Sequence, residues 1–133
     1  MGLPGIKIAF PSSAADFKGL LIESIREPNP VVFFADLMLL GKKGDVPEGA
    51  YSIEFGKADV KREGTDVTVV AIGSTVPQAL EVADQLAETG VSVEVIDPRT
   101  LVPFDWDAVA KSVSKTGRLV AVDPNRETCG AAS

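Results

Sequence analysis

Val67-Thr68-Val69-Val70-Ala71-Ile72-Gly73-Ser74-Thr75-Val76-Pro77-Gln78 is the stretch in which the hydrophobic period of this chain changes from two to 3.6. The unbroken β-branched run predicts a strand over 67–71, covered on both faces as in a parallel sheet. The glycine and the hydroxyl residues then stop it. Val76, Ala79, Leu80, Ala83, Leu86 and Ala87 recur along one stripe and predict a helix over 76–88. Thr75 followed three residues later by Gln78 reads as a capping box, and Pro77 occupies the first turn, where no amide proton is needed. Gly90 supplies the left-handed stop, and Val91 to Ile96 reads as the next strand. Strand, helix and strand together make a βαβ unit.

The same alternation continues outward in both directions. Towards the carboxyl end, Asp105 is placed to cap a helix with inner face Trp106, Val109, Ala110 and Val113, ending at Lys115-Thr116-Gly117 before a strand over Leu119 to Val122. Glu127 to Ser133 reads as the opening turn of one more helix. Towards the amino end, Ile6 to Phe10 forms a strand that Pro11-Ser12-Ser13 interrupts, and Phe17, Leu20, Leu21 and Ile25 mark one helix face. The prolines in Glu27-Pro28-Asn29-Pro30 end that helix, and Val31 to Ala35 is the second strand of another βαβ unit. Residues 37–65 show no strong period and read as a connection between the two units. The fold class is α/β, built from parallel-sheet βαβ units.

Composition bounds the chemistry. The 133 residues are 45% hydrophobic, enough for a packed core, and carry a formal charge of −6, which argues against a nucleic-acid or anionic-membrane surface. Histidine is absent, so neither a Ser-His nor a Cys-His nucleophile can be assembled. The lone Cys129 cannot form an internal disulfide and reads as an ordinary small residue. No apolar run approaches the roughly 20 residues of a membrane span, and a cytoplasmic location is expected.

Ligands in parallel sheets gather at the carboxyl ends of strands, which directs attention to Ser74, Asp97 and Asp123. Each also suits a local turn or cap: Asp97-Pro98 and Asp123-Pro124 are turn pairs whose side chains can bond nearby amides. Gly44-Asp45-Val46 lacks the final glycine of a Gly-Asp-Gly diphosphate site and reads as a turn, and Lys42-Lys43 as a solvated pair. No Walker loop or dinucleotide fingerprint is present.

Three longer stretches carry a resemblance: 56–70 (Gly-Lys-Ala-Asp-Val-Lys-Arg-Glu-Gly-Thr-Asp-Val-Thr-Val-Val), 93–105 (Val-Glu-Val-Ile-Asp-Pro-Arg-Thr-Leu-Val-Pro-Phe-Asp) and 114–120 (Ser-Lys-Thr-Gly-Arg-Leu-Val). With Pro4 to Ser12 and Lys18 to Leu21, they resemble the beta subunit of the decarboxylating component of 2-oxoacid dehydrogenase complexes, a transketolase-superfamily branch acting on pyruvate, branched-chain substrates and acetoin. The resemblance implies that 1–36 is the end of a transketolase-like pyrimidine-binding domain. Residues 37–65 would be the interdomain connection, and 66–133 a truncated transketolase carboxyl-terminal domain.

For the whole enzyme it implies thiamine diphosphate and magnesium. It places the cofactor-activating glutamate upstream of the matched segment and the diphosphate site on an alpha subunit, so no cofactor is expected on this chain alone. Where relatives carry Glu-His-Glu and a tyrosine, this sequence has Ala35-Asp36-Leu37 and Leu40-Gly41. It further implies a potassium site at Ser24, Ile25, Glu27 and Asn29, built mainly from carbonyl oxygens at a helix carboxyl end. The expectations are a partial, inactive dehydrogenase subunit, an oligomeric binding module derived from it (a homo-oligomer), or an active subunit completed by an alpha subunit.

Overall fold

The alternating apolar runs resolve into two sheets in the computed structural model, which describes residues 4–125, 130 and 131. In chain order the elements are β1 (Lys7–Ala9), α1 (Ala14–Arg26), β2 (Val31–Phe33), β3 (Asp59–Arg62), β4 (Val67–Ala71), α2 (Thr75–Glu88), β5 (Val93–Asp97), β6 (Thr100–Val102), α3 (Trp106–Thr116) and β7 (Leu119–Val122). The first sheet runs β2-β1-β6 and the second β3-β5-β4-β7. β1 and β2 are parallel, as are β4, β5 and β7, so both βαβ units form as their sequence period requires.

Each sheet packs by alternation. On one face of the second sheet, Val93 and Val95 meet Ala83, Ala79 and Leu80 of α2. On the other, Val70 and Ile96 meet Val109 and Val113 of α3, with Phe104 and Ala58 closing the layer. In the first sheet, Ala9, Val31 and Phe33 pack with Leu20 of α1 and with Ile53 and Phe55 from the long connection. The opposite face carries Val32 and Phe34, both more than two-fifths exposed. No helix of the described residues is long and apolar enough to cross a membrane.

Four local expectations are corrected. The 37–65 connection contains β3, which pairs antiparallel with β5 and gives the second sheet an antiparallel edge. A further strand, β6, turns back to pair antiparallel with β1, fastening the second half of the chain to the first sheet. These strands have four and three residues, too short to establish a period.

The capping box at α2 does not form. Thr75 Oγ1 accepts from the Ile72 amide at 2.9 Å and lies 2.8 Å from the Ile72 carbonyl and 3.2 Å from that of Val122, tying the ends of β4 and β7 together. Trp106 is not on the inner face of α3: it is 71% exposed, with its ring 4.5 Å from that of Phe104, and Ala110 is exposed too. The buried stripe is Val109, Ser112 and Thr116, because the Thr68 hydroxyl inside the sheet sits 2.6 Å from Ser112 Oγ and 2.7 Å from Thr116 Oγ1. Satisfied in this way, two polar residues occupy positions that a hydrophobicity pattern assigns to the surface. The Asp105 cap (bond to the Ala108 amide, 3.0 Å) and the left-handed Gly117 stop both form. Cys129 and most of the final turn lie outside the described residues.

Gly64 shows how tightly β3 and β5 are joined. A Cβ there would sit 2.2 Å from the Val93 carbonyl carbon and the Glu94 amide nitrogen, both backbone atoms. Gly64→Ala should therefore lower stability by at least about 2 kcal/mol, the cost of overpacking a rigid site. Gly44→Ala, with nothing within 4 Å, should be nearly neutral. Urea midpoints of the two variants check this contrast.

Candidate functional site

The carboxyl ends of β1 and β2 open into a cavity of about 580 Å³, within the range of small-molecule pockets. Ser12, Ser13 and Phe17 form one wall, Asp36 and the turn from Leu39 to Gly44 the other, and Pro77 of α2 closes the end. Ser13 caps α1, its Oγ accepting from the Asp16 amide at 3.1 Å and donating to Asp16 Oδ2 at 2.5 Å.

Asp36 supplies the cap that α2 lacks within its own sequence. Its Oδ2 accepts from the Ser74 amide at 2.8 Å and its Oδ1 from the Met38 amide at 2.9 Å, whereas Ser74 makes no side-chain cap. Burial alone would raise the Asp36 pKa, but the Ser74 side chain together with the Met38 and Ser74 amides outweighs it and holds the carboxyl below its ordinary value. A carboxylate at a helix amino end is also favoured by the helix dipole.

Behind the Ser12 and Ser13 wall lies a buried charge cluster joining both halves of the chain. Lys61 Nζ sits 2.8 Å from Asp16 Oδ2, 2.7 Å from Asp59 Oδ2 and 3.9 Å from Asp97 Oδ2. Arg99 Nη1 sits 3.2 Å from Asp16 Oδ1, and the same guanidinium donates to the carbonyls of Lys57 at 3.1 Å and Ala58 at 3.2 Å. Ser12 Oγ donates to Asp97 Oδ2. Asp97 is 1% exposed and its Oδ1 accepts from the Arg99 amide at 2.9 Å. Burial pushes its pKa up to about 6; bonds from Ser12 and Arg99 and the Lys61 charge offset part of that shift, while the Asp16 charge adds to it. Burial also opposes ionisation of Asp16, but Lys61 and Ser13 prevail and keep it below its ordinary value.

Asp97 therefore does bond a local amide, as its turn position predicts, but its Ser12 and Lys61 partners lie 85 and 36 positions away in sequence. Asp123 also makes its turn, with Oδ1 accepting from the Asn125 amide at 2.9 Å, and Ser74 contributes its amide to Asp36. Lys42, Lys43 and Asp45 are exposed. Among the described residues no three His, Cys, Asp or Glu side chains converge to hold a metal ion.

The four residues implied in potassium binding lie in the last turn of α1 and just beyond it. Ser24 Oγ donates to the Leu20 carbonyl at 2.7 Å, Glu27 is the C-cap, and Ile25 is 77% exposed. The Glu27 carboxylate is engaged by the Lys7 ammonium at 2.6 Å and by Asn29 Nδ2 at 2.6 Å. A cation held by the Glu27 side chain would have to share it with Lys7, whereas one held by backbone carbonyls would not.

Lys61→Met should cost about 3–5 kcal/mol, because it leaves carboxylates uncompensated in the buried cluster. Adding Asp16→Asn should recover part of the loss, and a double-mutant cycle from denaturation curves measures the coupling. Asp36→Ala should cost about 1 kcal/mol, as lost caps do. Because its folded pKa is lowered from 3.8, the Asp36 contribution is present above that value and is lost as pH falls through the lower folded pKa, so the stability gap between wild type and variant should narrow on acidification below pH 3.8.

Residues 56–133 match the family described as the transketolase C-terminal domain. Across 131 residues the chain is 48% identical to the acetoin:2,6-dichlorophenolindophenol oxidoreductase subunit beta of Bacillus subtilis, covering 98% of this chain and 38% of that protein. It is 47% identical over 131 residues to the pyruvate dehydrogenase E1 component subunit beta of the same organism, covering 98% and 40%. The chain thus spans about two-fifths of the length of these curated relatives. A solved split-gene transketolase, described as an inactive beta4 tetramer, superposes with a TM-score of 0.82 at 26% identity, covering 98% of this chain and 42% of that one. A transketolase mutant from Pichia stipitis shares the fold at a TM-score of 0.59 and 15% identity, covering 94% and 21%. The parallel β4, β5 and β7 core with its β3 edge, and the match that spans it, place this chain in the transketolase carboxyl-terminal domain family, and nearly all of its length is similar to part of the beta subunits of acetoin and pyruvate dehydrogenases.

Proposed function

We propose that these 133 residues are a partial beta subunit of a thiamine diphosphate-dependent 2-oxoacid dehydrogenase and do not by themselves complete its cofactor site or turn over substrate. The observation that carries this reading is coverage: identity of 47–48% runs over 98% of the chain but only 38–40% of the relatives. In this reading 1–36 belong to the pyrimidine-binding domain, 37–65 to the connection and 66–133 to the carboxyl-terminal domain. The alpha subunit is the partner, the cytoplasm the compartment, and carbonyls around Ser24, Ile25, Glu27 and Asn29 the seat of any potassium ion.

A second reading, a homo-oligomeric assembly module, is favoured by one feature of the fold. Val32 and Phe34 lie on the face of the first sheet away from α1, and Leu37 and Met38 beyond the strand are 81% and 74% exposed. Parallel sheets are ordinarily covered on both faces, so association would bury this surface.

Chain supplemented with alpha subunit, thiamine diphosphate, magnesium and pyruvate should show no turnover above alpha subunit alone, and titration calorimetry of the chain with thiamine diphosphate should show no stoichiometric binding. Turnover or tight capture would overturn the first reading. A melting temperature that rises with protein concentration would support the second.

A further inference from the structure

We propose that the two halves of the chain are fastened by a proton-operated latch at Asp97, which holds the β1–α1 turn against the end of β5 when protonated and loosens it when ionised. The inference goes beyond the functional reading above and rests on geometry. Asp97 closes β5 and lies directly opposite Asp59 in the antiparallel register with β3. Like charges so placed repel.

The charged groups around Asp97 come from three elements. Asp59 and Lys61 face it from β3, Asp16 from α1, and Arg99 from its own turn; β4, on its other side, has no charged residue from Val67 to Ala71. Three carboxylates thus share two cations. Lys61 is closer to Asp16 and Asp59 than to Asp97, and Arg99 pairs with Asp16, so Asp97 is the carboxylate least compensated by direct contact. It is also almost wholly buried. A proton on Asp97 makes the cluster neutral without moving any backbone.

The Asp97 group is bonded to Ser12, which lies in the other half of the chain and in the cavity wall. That bond by itself favours the ionised carboxyl; what links docking to the proton is the burial of a third carboxylate beside two cations, which closing the halves imposes and a proton relieves. With a folded pKa of about 6 against 3.8 for an ordinary aspartate, the Asp97 contribution is full below 3.8 and is lost as pH rises through about 6. Asp16, shifted the opposite way, acts only in more acidic solution.

Two amides report the fastening: Phe10 donates to the Arg99 carbonyl at 2.9 Å, and Ser74 donates to Asp36. Hydrogen exchange of the 133-residue chain, corrected for intrinsic rates, should show protection of both amides falling at least about tenfold between pH 5 and pH 7.5, the equivalent of one pKa unit. Asp97→Asn should abolish the pH dependence. Ser12→Ala, which removes the donor that stabilises the ionised form, should keep the dependence and move its midpoint upward. Carbon-13 NMR titration of the Asp97 carboxyl gives a readout without any substitution: a midpoint near 6 supports the latch. A midpoint near 4, protection that is flat with pH in wild type, an unmoved midpoint in Ser12→Ala, or an unchanged pH profile in Asp97→Asn would each overturn it.

Discussion

Lys61 holds together parts of the chain that are far apart in sequence. Its ammonium sits between carboxylates from α1, β3 and β5, and taking it out of water is offset only where those oxygens are held in place. Burial disfavours its charge, yet Asp16 and Asp59 overcompensate and raise its pKa above the ordinary value. The same demand explains the backbone at Arg99, a non-glycine residue at φ 58°. That left-handed conformation costs about 1–2 kcal/mol. It is offset by the bond from the Arg99 amide to Asp97 and by a guanidinium anchored on Asp16 and the carbonyls of Lys57 and Ala58. The turn between β5 and β6 is thereby fixed, and with it the pairing of β6 onto β1.

Secondary structure driven by local signals was largely legible in the sequence. The strands over 67–71 and 119–122 and the helix between Asp105 and Gly117 stand where periodicity and caps put them, while the 76–88 helix begins one residue earlier. What escaped reading depends on distant partners. β3 and β6 are short segments ordered by the strands they join, and the inner face of α3 was hidden because Ser112 and Thr116 are made compatible with burial by Thr68, more than 40 positions earlier. A capping box at Thr75 is a local signal, whereas the acceptor at the start of α2 is Asp36 from the end of β2.

The candidate site was legible only in part, for the same reason. A carboxylate at a strand end marked Asp97 as worth attention, and its proline neighbour correctly indicated a turn. Nothing near it in sequence shows that Ser12 would reach it, or that Asp59 would stand opposite it. Such a cluster is encoded by register, and register becomes visible only once strands have been paired.

The contrast between the three apolar clusters and this polar fastening bears on how the scaffold behaves. Inside each half, alanine, valine, leucine and phenylalanine interdigitate, and separating them would cost free energy in proportion to the apolar area exposed. Where the halves meet, the Asp36 cap, the Asp16–Lys61–Arg99 ties and the Ser12–Asp97 bond contribute strongly only while desolvated and well aligned. Water can replace each of them once a gap opens, so the loss on separation is smaller than the gross strength of the contacts implies. Polar junctions of this kind yield before the cores do. The cavity at the β1 and β2 strand ends draws its wall from Ser12 and Ser13, whose hydroxyls are committed to Asp97 and Asp16. That wall is thus tied to the polar junction, while Phe17, Leu39, Leu40 and Pro77 give the rest of the lining its apolar character.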